Sequence, residues 1–511
     1  MNKTATAMFY LIWRNVYLRG LLQGFVLRDT VITFKSIDAL EDNHHFLSVL
    51  PHDRTNYKSM IRLMICNSNE FNQYINNPLS VSLVNDLCLC KKDLSIKQQP
   101  VQPKTPTPSF TFSSSSFPLS TFTASSSFAN SSFSSPNQVV ESPSIDCNLL
   151  PDTLHRLELL IDENTTLIGR LPESLRDLTI KCFSLSRFEN KFIDTMLCNL
   201  PKDLESLTLP SYFIPKYEDI TVFTLPKSLS YFSYRGNPHI IKRFRPAPNN
   251  NNVFPQCRLL VQSRSDLEWV ADQTWINNIL IIGASFTIAS FAPSHIRHLE
   301  LFHVISPLEK DFLPPLLESL HVDGYTLPLK PDVLPSQLKE LSLNSFDDQL
   351  VKGALPLSLT KLSLAAFNKP LDAFIIPARV QDLNLSKFSY PFAKDILPPS
   401  LTKLCVGTCV GHPDSIAPLH QLQKLNVETL NQQAVRLIGS KSVDVEFRIL
   451  GVNVCFNQNT SIERLCLFNN GPTISMHVDS LPPTLRRLKT FKIDLQESDK
   501  LEQKKCSYNL L

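Results

Sequence analysis

LPSQLKELSL at residues 334–343 is followed by LPLSLTKLSL at 355–364, IPARVQDLNL at 376–385 and LPPSLTKLCV at 397–406. Each segment begins 21 residues after the one before (334, 355, 376, 397). Two more copies precede them, opening at Ala292-Pro293 and Leu313-Pro314. Across the six, Ile296, Leu317, Leu338, Leu359, Val380 and Leu401 fill one column, and Leu299, Leu320, Leu341, Leu362, Leu383 and Leu404 the next. Leu301, Val322, Leu343, Leu364, Leu385 and Val406 fill a third. A fixed period of this length is the mark of stacked repeats.

The spacing dictates the local structure. The closing Leu-x-Leu alternates with period two, so both side chains fall on one face of a short strand. Stacked copies pair those strands in parallel and join the leucine columns into one core. Proline has no amide hydrogen and disfavours helix before it, so it marks the entry to each strand. About ten residues remain for the return path, enough for irregular chain or short turns but not for long helices. The expected fold is a β-rich, leucine-rich-repeat-like solenoid, with parallel strands on the concave face and an irregular convex side.

The same template recurs less strictly on both sides. Upstream it reads Leu150-Pro151 with Leu154, Leu157 and Leu159, then Leu171-Pro172 with Leu175, Leu178 and Ile180. Leu200-Pro201 and Leu225-Pro226 open further copies, the second with Phe232 and Tyr234 in the strand positions. Ile276/Ile279/Ile281, Leu422/Leu425/Val427 and Ile462/Leu465/Leu467 fit without the proline, and Leu481-Pro482 with Leu485 and Leu488 is the last. Met60/Leu63/Ile65 and Val84/Leu87/Leu89 fit loosely.

The organisation follows from these matches. Residues 1–55 are expected to form a helical capping segment, with Met8–Leu22 amphipathic, and 56–97 degenerate first repeats. Gln98–Pro143 is Ser-rich and nearly uncharged, with six phenylalanines (Phe110, Phe112, Phe117, Phe122, Phe128, Phe133) in no helical or strand period. It reads as a disordered linker at 98–143. The solenoid is expected over 144–495 and a disordered tail over 496–511.

Composition excludes several classes. The chain has 511 residues, 37 of them Pro and only 12 Gly, so glycine-dependent phosphate loops are scarce. Gly439-Ser440-Lys441-Ser442 lacks the earlier glycine of a Walker loop. No G-x-S-x-G or H-E-x-x-H occurs, and the 12 His are scattered, so no catalytic or cofactor-binding residue is assigned. Cys405, Cys409 and His412 make only half of a metal site, and no metal or cofactor is expected. A net charge of +3 suggests neither a nucleic-acid nor a membrane partner. The apolar run Met8–Trp13 is broken by Arg14 and Arg19 and does not read as a signal peptide, which points to the cytoplasm, with the nucleus as the alternative.

Leu-Pro-x-x-Leu-x-x-Leu-x-Leu at this period resembles the FNIP repeat, a relative of the leucine-rich repeat. Phe367, Asn368, Lys369, Pro370 and Leu371 reproduce the element that names the family, and Ile376-Pro377 follows it. Phe346-Asp347-Asp348 and Phe388-Ser389-Tyr390-Pro391 keep fragments of it. Leu11-Ile12-Trp13-Arg14-Asn15 with Tyr17-Leu18 is similar to the N-terminal segment of many FNIP-repeat proteins. Some members of the family join the repeats to an F-box or a kinase domain; no kinase signature is present here.

The expected function is a non-enzymatic scaffold that binds a protein or peptide on the concave face. Strand residues flanking the inward leucines would form that surface: His298, Glu300, His321, Asp323, Glu340, Asn344, Lys361, Asp382, Asn384, Lys403 and Lys424. Phe302, Ser319, Ser342, Ser363, Ala365, Ser386, Cys405, Gly407, Asn426 and Glu428 complete it, with acids toward one end and lysines toward the other. The partner is a protein of unknown identity, and the chain is expected to be monomeric. The alternative is a substrate receptor of a ubiquitin-ligase complex, with the N-terminal segment as the adaptor-binding element.

Overall fold

The structure is a computed structural model. It describes residues 31–47, 60–90, 144–161, 165–182, 188–189, 191–211, 213–214, 222–236, 238–248, 251–282, 293–304, 306–410, 417–456 and 461–496. The Met8–Leu22 helix, the 98–143 linker and nearly all of the 496–511 tail lie outside the described residues. The chain divides into two compact units, Met1–Pro201 and Lys202–Leu511. Each is a parallel-strand β-solenoid.

In the first unit, β1 (Val31–Phe34), β2 (Met60–Ile65), β3 (Asp86–Cys90), β4 (Arg156–Ile161) and β5 (Asp177–Cys182) pair successively in parallel. Leu87, Leu157 and Leu178 stand in one register and are fully buried. Among the described residues strand pairing therefore starts at Val31, inside the 1–55 stretch expected to be a helical cap. Val31-Ile32-Thr33-Phe34 is β-branched and aromatic, the composition that favours a pleated strand. Helix α1 (Ile37–Asp42) follows directly. The return path after β2 is long enough for two further helices, α2 (Ser68–Asn76) and α3 (Pro78–Leu83). Asn67 and Asn77 cap them through their side chains, and Pro78 takes the first turn of α3, where its missing donor costs nothing.

The second unit runs β6 (Ser206–Thr208), β7 (Tyr231–Gly236), β8 (Cys257–Val261) and β9 (Asn278–Ile282). The regular block follows as β10 (His298–Phe302), β11 (Ser319–Asp323), β12 (Glu340–Ser342), β13 (Lys361–Ser363), β14 (Asp382–Leu385), β15 (Lys403–Thr408) and β16 (Lys424–Leu430). β17 (Ser442–Leu450), β18 (Arg464–Asn469) and β19 (Arg487–Phe491) complete the order. From β6 to β19 each strand pairs in parallel with the next. Leu320, Leu341, Leu362, Leu383 and Leu404 stand in register and are 1% exposed each.

The 21-residue period reaches well beyond the three leucine columns. In the regular block the carbonyl of each entry proline closes a turn by accepting the amide of the leucine-column residue three positions on, as from Leu338 to Pro335 at 3.1 Å and from Leu359 to Pro356 at 3.2 Å. Where serine precedes that residue, its hydroxyl donates to the previous repeat: Ser358 to the Leu338 carbonyl at 2.6 Å, Ser400 to that of Val380 at 2.6 Å. After the strand comes a buried column of Val304, Tyr325, Phe346, Phe367, Phe388, Cys409 and Leu430. Its three phenylalanines stack with centroids 6.2 Å apart and planes 3° from parallel. That spacing exceeds the usual strand separation of about 4.8 Å, so the rings overlap with an offset.

Beside the phenylalanines runs a polar ladder. Asp347 Oδ1 accepts the Asn368 amide at 2.7 Å, and Asn368 Oδ1 accepts the Ser389 amide at 3.0 Å. The Phe-Asn element thus supplies a ring to the core and a carbonyl to the next turn's backbone. The return path holds no helix between His303 and Leu430 among the described residues. It keeps a left-handed residue once per turn: Asp311, Asp332, Gly353, Phe374 and Asp395, with φ between 62° and 87°. Glycine and aspartate tolerate that conformation, whereas phenylalanine does so at a cost.

Two turns of the second unit escaped the sequence template. β8 sets the buried Leu259 and Val261 opposite Ile279 and Ile281 of β9, with no leucine-proline entry. β17 buries Val443 and Val445, but the preceding column position holds Ser440. Its hydroxyl donates to the Leu422 carbonyl at 2.5 Å, which lets a polar residue occupy an apolar column.

Two substitutions test the columns. Leu341→Asp puts an unpaired carboxylate into the core and should lower unfolding free energy by several kcal/mol, read by urea titration. Phe374→Asp should raise it by about 1 kcal/mol, since a 75% exposed ring gives up little packing and the left-handed backbone suits aspartate. Loss of stability in the second variant would show that the ring packs against its neighbours.

Candidate functional site

Residues that alternate with the buried columns of β10–β16 point away from the core, and the parallel register sets them in rows. One row runs His298, Ser319, Glu340, Lys361, Asp382, Lys403 and Lys424. The next runs Glu300, His321, Ser342, Ser363, Asn384, Cys405 and Asn426. Asp323 stands opposite Phe302 in a third, and Asn344 lies two residues past Ser342 on the same side. The eleven candidate residues therefore share one side of the sheet.

Their charges pair locally. Lys361 lies 4.0 Å from Glu340, Lys403 3.9 Å from Asp382, and Lys424 2.7 Å from Glu446 on β17. Glu300 pairs with Arg258 on β8 at 2.5 Å. The expected drift from acids to lysines is thus broken into neutralised pairs, because the long cations reach carboxylates one strand away or, for Arg258, two. Such exposed pairs contribute about 0–1 kcal/mol each. They leave little net field to draw in a highly charged ligand.

From Ser342 onward the second row is neutral, and much of it is hydrogen-bonded. Ser363 Oγ donates to Asn344 Oδ1 at 2.7 Å and accepts from Asn384 Nδ2 at 3.0 Å; Ser386 Oγ donates to Asn384 Oδ1 at 2.9 Å. This chain ties three turns together and holds the side chains in fixed directions. Asn426 Nδ2 donates to Glu446 at 3.1 Å. At the other end, the His321 ring lies 5.9 Å from that of Phe302. Burial holds His298 below the usual imidazole range, so it stands neutral near pH 7.

Nothing in this arrangement forms an activated nucleophile. Burial pushes the Cys405 thiol above its ordinary range, the reverse of what a reactive thiolate needs. Cys405 lies on the outward row, whereas Cys409 is fully buried and pushed up to about 12. Among the described residues no three His, Cys, Asp or Glu side chains are placed to hold a metal. No helix among them is long and apolar enough to cross a membrane. A cavity of about 260 Å³ lies in the first unit, lined by Cys147, Gly169, Leu171 and Met196 among others.

Arg258 and Glu446, which complete two of the pairs, were not legible as site residues. Both sit in the turns that lack the leucine-proline entry, so the template gave them no register.

The first unit carries a second charged row: Arg62, Asp86, Arg156 and Asp177 in register on β2–β5. Asp86 is fully buried, with Arg62 at 3.9 Å and Arg156 at 3.8 Å, and neither carboxylate oxygen has a hydrogen bond. Arg62 pairs closely with Glu158, which also holds Lys181 at 2.7 Å, and Arg156 reaches Asp177 at 2.8 Å. Desolvation pushes the Asp86 carboxyl up to about 6 despite the two arginines.

A raised carboxyl pKa means that the folded state holds the proton more tightly than the unfolded chain. This contribution is complete below the unfolded value near 4 and is lost as pH rises through about 6. The two values imply roughly 3 kcal/mol across that window. Asp86→Asn should flatten the slope of unfolding free energy between pH 4 and 6, measured by urea titration at several pH values. An unchanged slope would assign the titration to another group.

Comparison with known proteins matches residues 306–346, 325–366 and 367–409 to the FNIP Repeat family model. No curated protein matches the chain. Among solved structures, CroV588, described as a novel circular LRR protein structure, matches at 20% identity and a TM-score of 0.36. The match covers 69% of this chain and 58% of that one.

Proposed function

Residues 306–409 are FNIP repeats within a parallel-strand solenoid, and from this we propose that the protein is a non-enzymatic interaction scaffold. It acts as a monomer in the cytoplasm and binds a protein or peptide on the outward face of β10–β16, the concave face of the solenoid. The observation that carries the reading is the Asn344–Ser363–Asn384–Ser386 chain beside neutralised ion pairs. Polar side chains held in fixed directions over several turns suit a partner that offers complementary hydrogen bonds along an extended surface. Neutralised rims select against mismatched charge more than they add affinity.

The test is a triple charge reversal, Lys361→Glu, Asp382→Lys and Lys403→Glu. The three side chains are on the surface, and surface pairs contribute little to folding, so the variant should remain folded by circular dichroism. Affinity purification with mass spectrometry should then recover partners with wild type that the variant loses. Partners kept by a folded variant would move binding off this face. A cullin adaptor retained while a second protein is lost would favour the substrate-receptor reading.

A further inference from the structure

We propose that β19, the last strand of the second unit, is a docking edge for an extended acidic segment of a partner protein, separate from the face above. β19 pairs with β18 and, among the described residues, has no strand on its other side. The Arg487 amide donates to the Glu463 carbonyl at 3.0 Å, so Arg487, Lys489 and Phe491 turn their backbone groups toward β18. Strand alternation then leaves the amides and carbonyls of Leu488 and Thr490 facing the open side. Such an edge accepts an added strand through main-chain hydrogen bonds, with side-chain pockets giving selectivity.

The side chains at this edge name the occupant. From β10 to β18 the cations of the outward face find an acid one strand away: Lys361 with Glu340, Lys403 with Asp382, Lys424 with Glu446, Arg448 with Glu428, Arg464 with Asp444. On β19 the rule breaks. Lys489 stands opposite Cys466 and lies 6.0 Å from the Phe468 ring, while Arg487 stands opposite another cation, Arg464. Neither makes an ion pair among the described residues, and both are exposed. Phe491 beside them is 52% exposed, with Lys492 over its ring at 5.6 Å.

The missing acids are those that a further strand would bring. A segment added in parallel, as the strands before it are, would place carboxylates opposite Arg487 and Lys489. An apolar residue two positions later would cover Phe491. The occupant is thus an acid-x-acid-x-apolar strand, held by charge at alternate residues and by the Leu488 and Thr490 backbone between them.

The experiment uses the full chain and a fluorescein-labelled peptide, Thr-Glu-Thr-Glu-Thr-Val-Thr, read by fluorescence anisotropy. Saturable binding that weakens with added salt is expected, and Arg487→Glu with Lys489→Glu should lower affinity by at least about tenfold. The same peptide with lysines in place of its glutamates should bind that double variant better than it binds wild type. Thr490→Pro removes one edge donor without changing charge and should also weaken binding; the exposed charge variants keep the test valid if that one fails to fold. No saturable binding, or equal binding by wild type and double variant, overturns the proposal. So does binding that appears only when residues 497–511 are removed, which assigns the edge to the chain's own tail. A concentration-dependent dimer in light scattering that the double variant abolishes would give the edge to a second copy and overturn the proposal as well.

Discussion

Each turn of this protein depends on its neighbour for backbone hydrogen bonds. A strand of three to five residues has no stability alone, and its amides find acceptors in the turns on either side, as Leu343 does in the Ser363 carbonyl of the next at 2.9 Å. Thr360 and Lys361, for example, both donate to the Lys339 carbonyl, at 2.8 and 3.0 Å. That dependence forces the register. Once the strands align, every position 21 residues apart must align too, so leucines, phenylalanines, turn serines and left-handed residues all fall into columns. Stability is then a sum of interfaces between like turns.

The same constraint explains the outward face. Side chains there repeat at the strand spacing, so like charges in one row would repel along its length. The chain answers by placing opposite charges one turn apart, Glu340 beside Lys361 and Asp382 beside Lys403. Between them it keeps small amides and hydroxyls that bond to one another. The row on β2–β5 follows the same alternation, but there Asp86 is fully buried and keeps the cost of desolvation.

The regular block was legible in the sequence because apolar residues at fixed intervals have one physical meaning. From 292 to 406, strand positions, inward columns and the shared side of the candidate residues all follow from the period. Phe367 and Asn368 were legible as an element but not as its parts. Burial of Val304, Cys409 and Leu430 in the phenylalanine column shows that the position demands a buried, largely apolar side chain, not an aromatic one. Local signals failed where chemistry replaced the template: Ser440 stands for a leucine because it can reach the Leu422 carbonyl. β1 escaped because a four-residue strand without leucine carries too little pattern. Ion pairing on the face was hidden for another reason, since Arg258 and Glu446 belong to turns whose register only the pairing reveals.

Hydrogen exchange followed by mass spectrometry tests the central claim most directly, that turns of 21 residues are held by inter-turn backbone bonds. Slow exchange should recur once per turn from 298 to 430, at amides such as Lys339, Glu340, Thr360 and Lys361, with faster exchange in the return path between. Protection running unbroken through 344–354 and 365–375, as in a helix, would contradict the account, and so would uniform fast exchange.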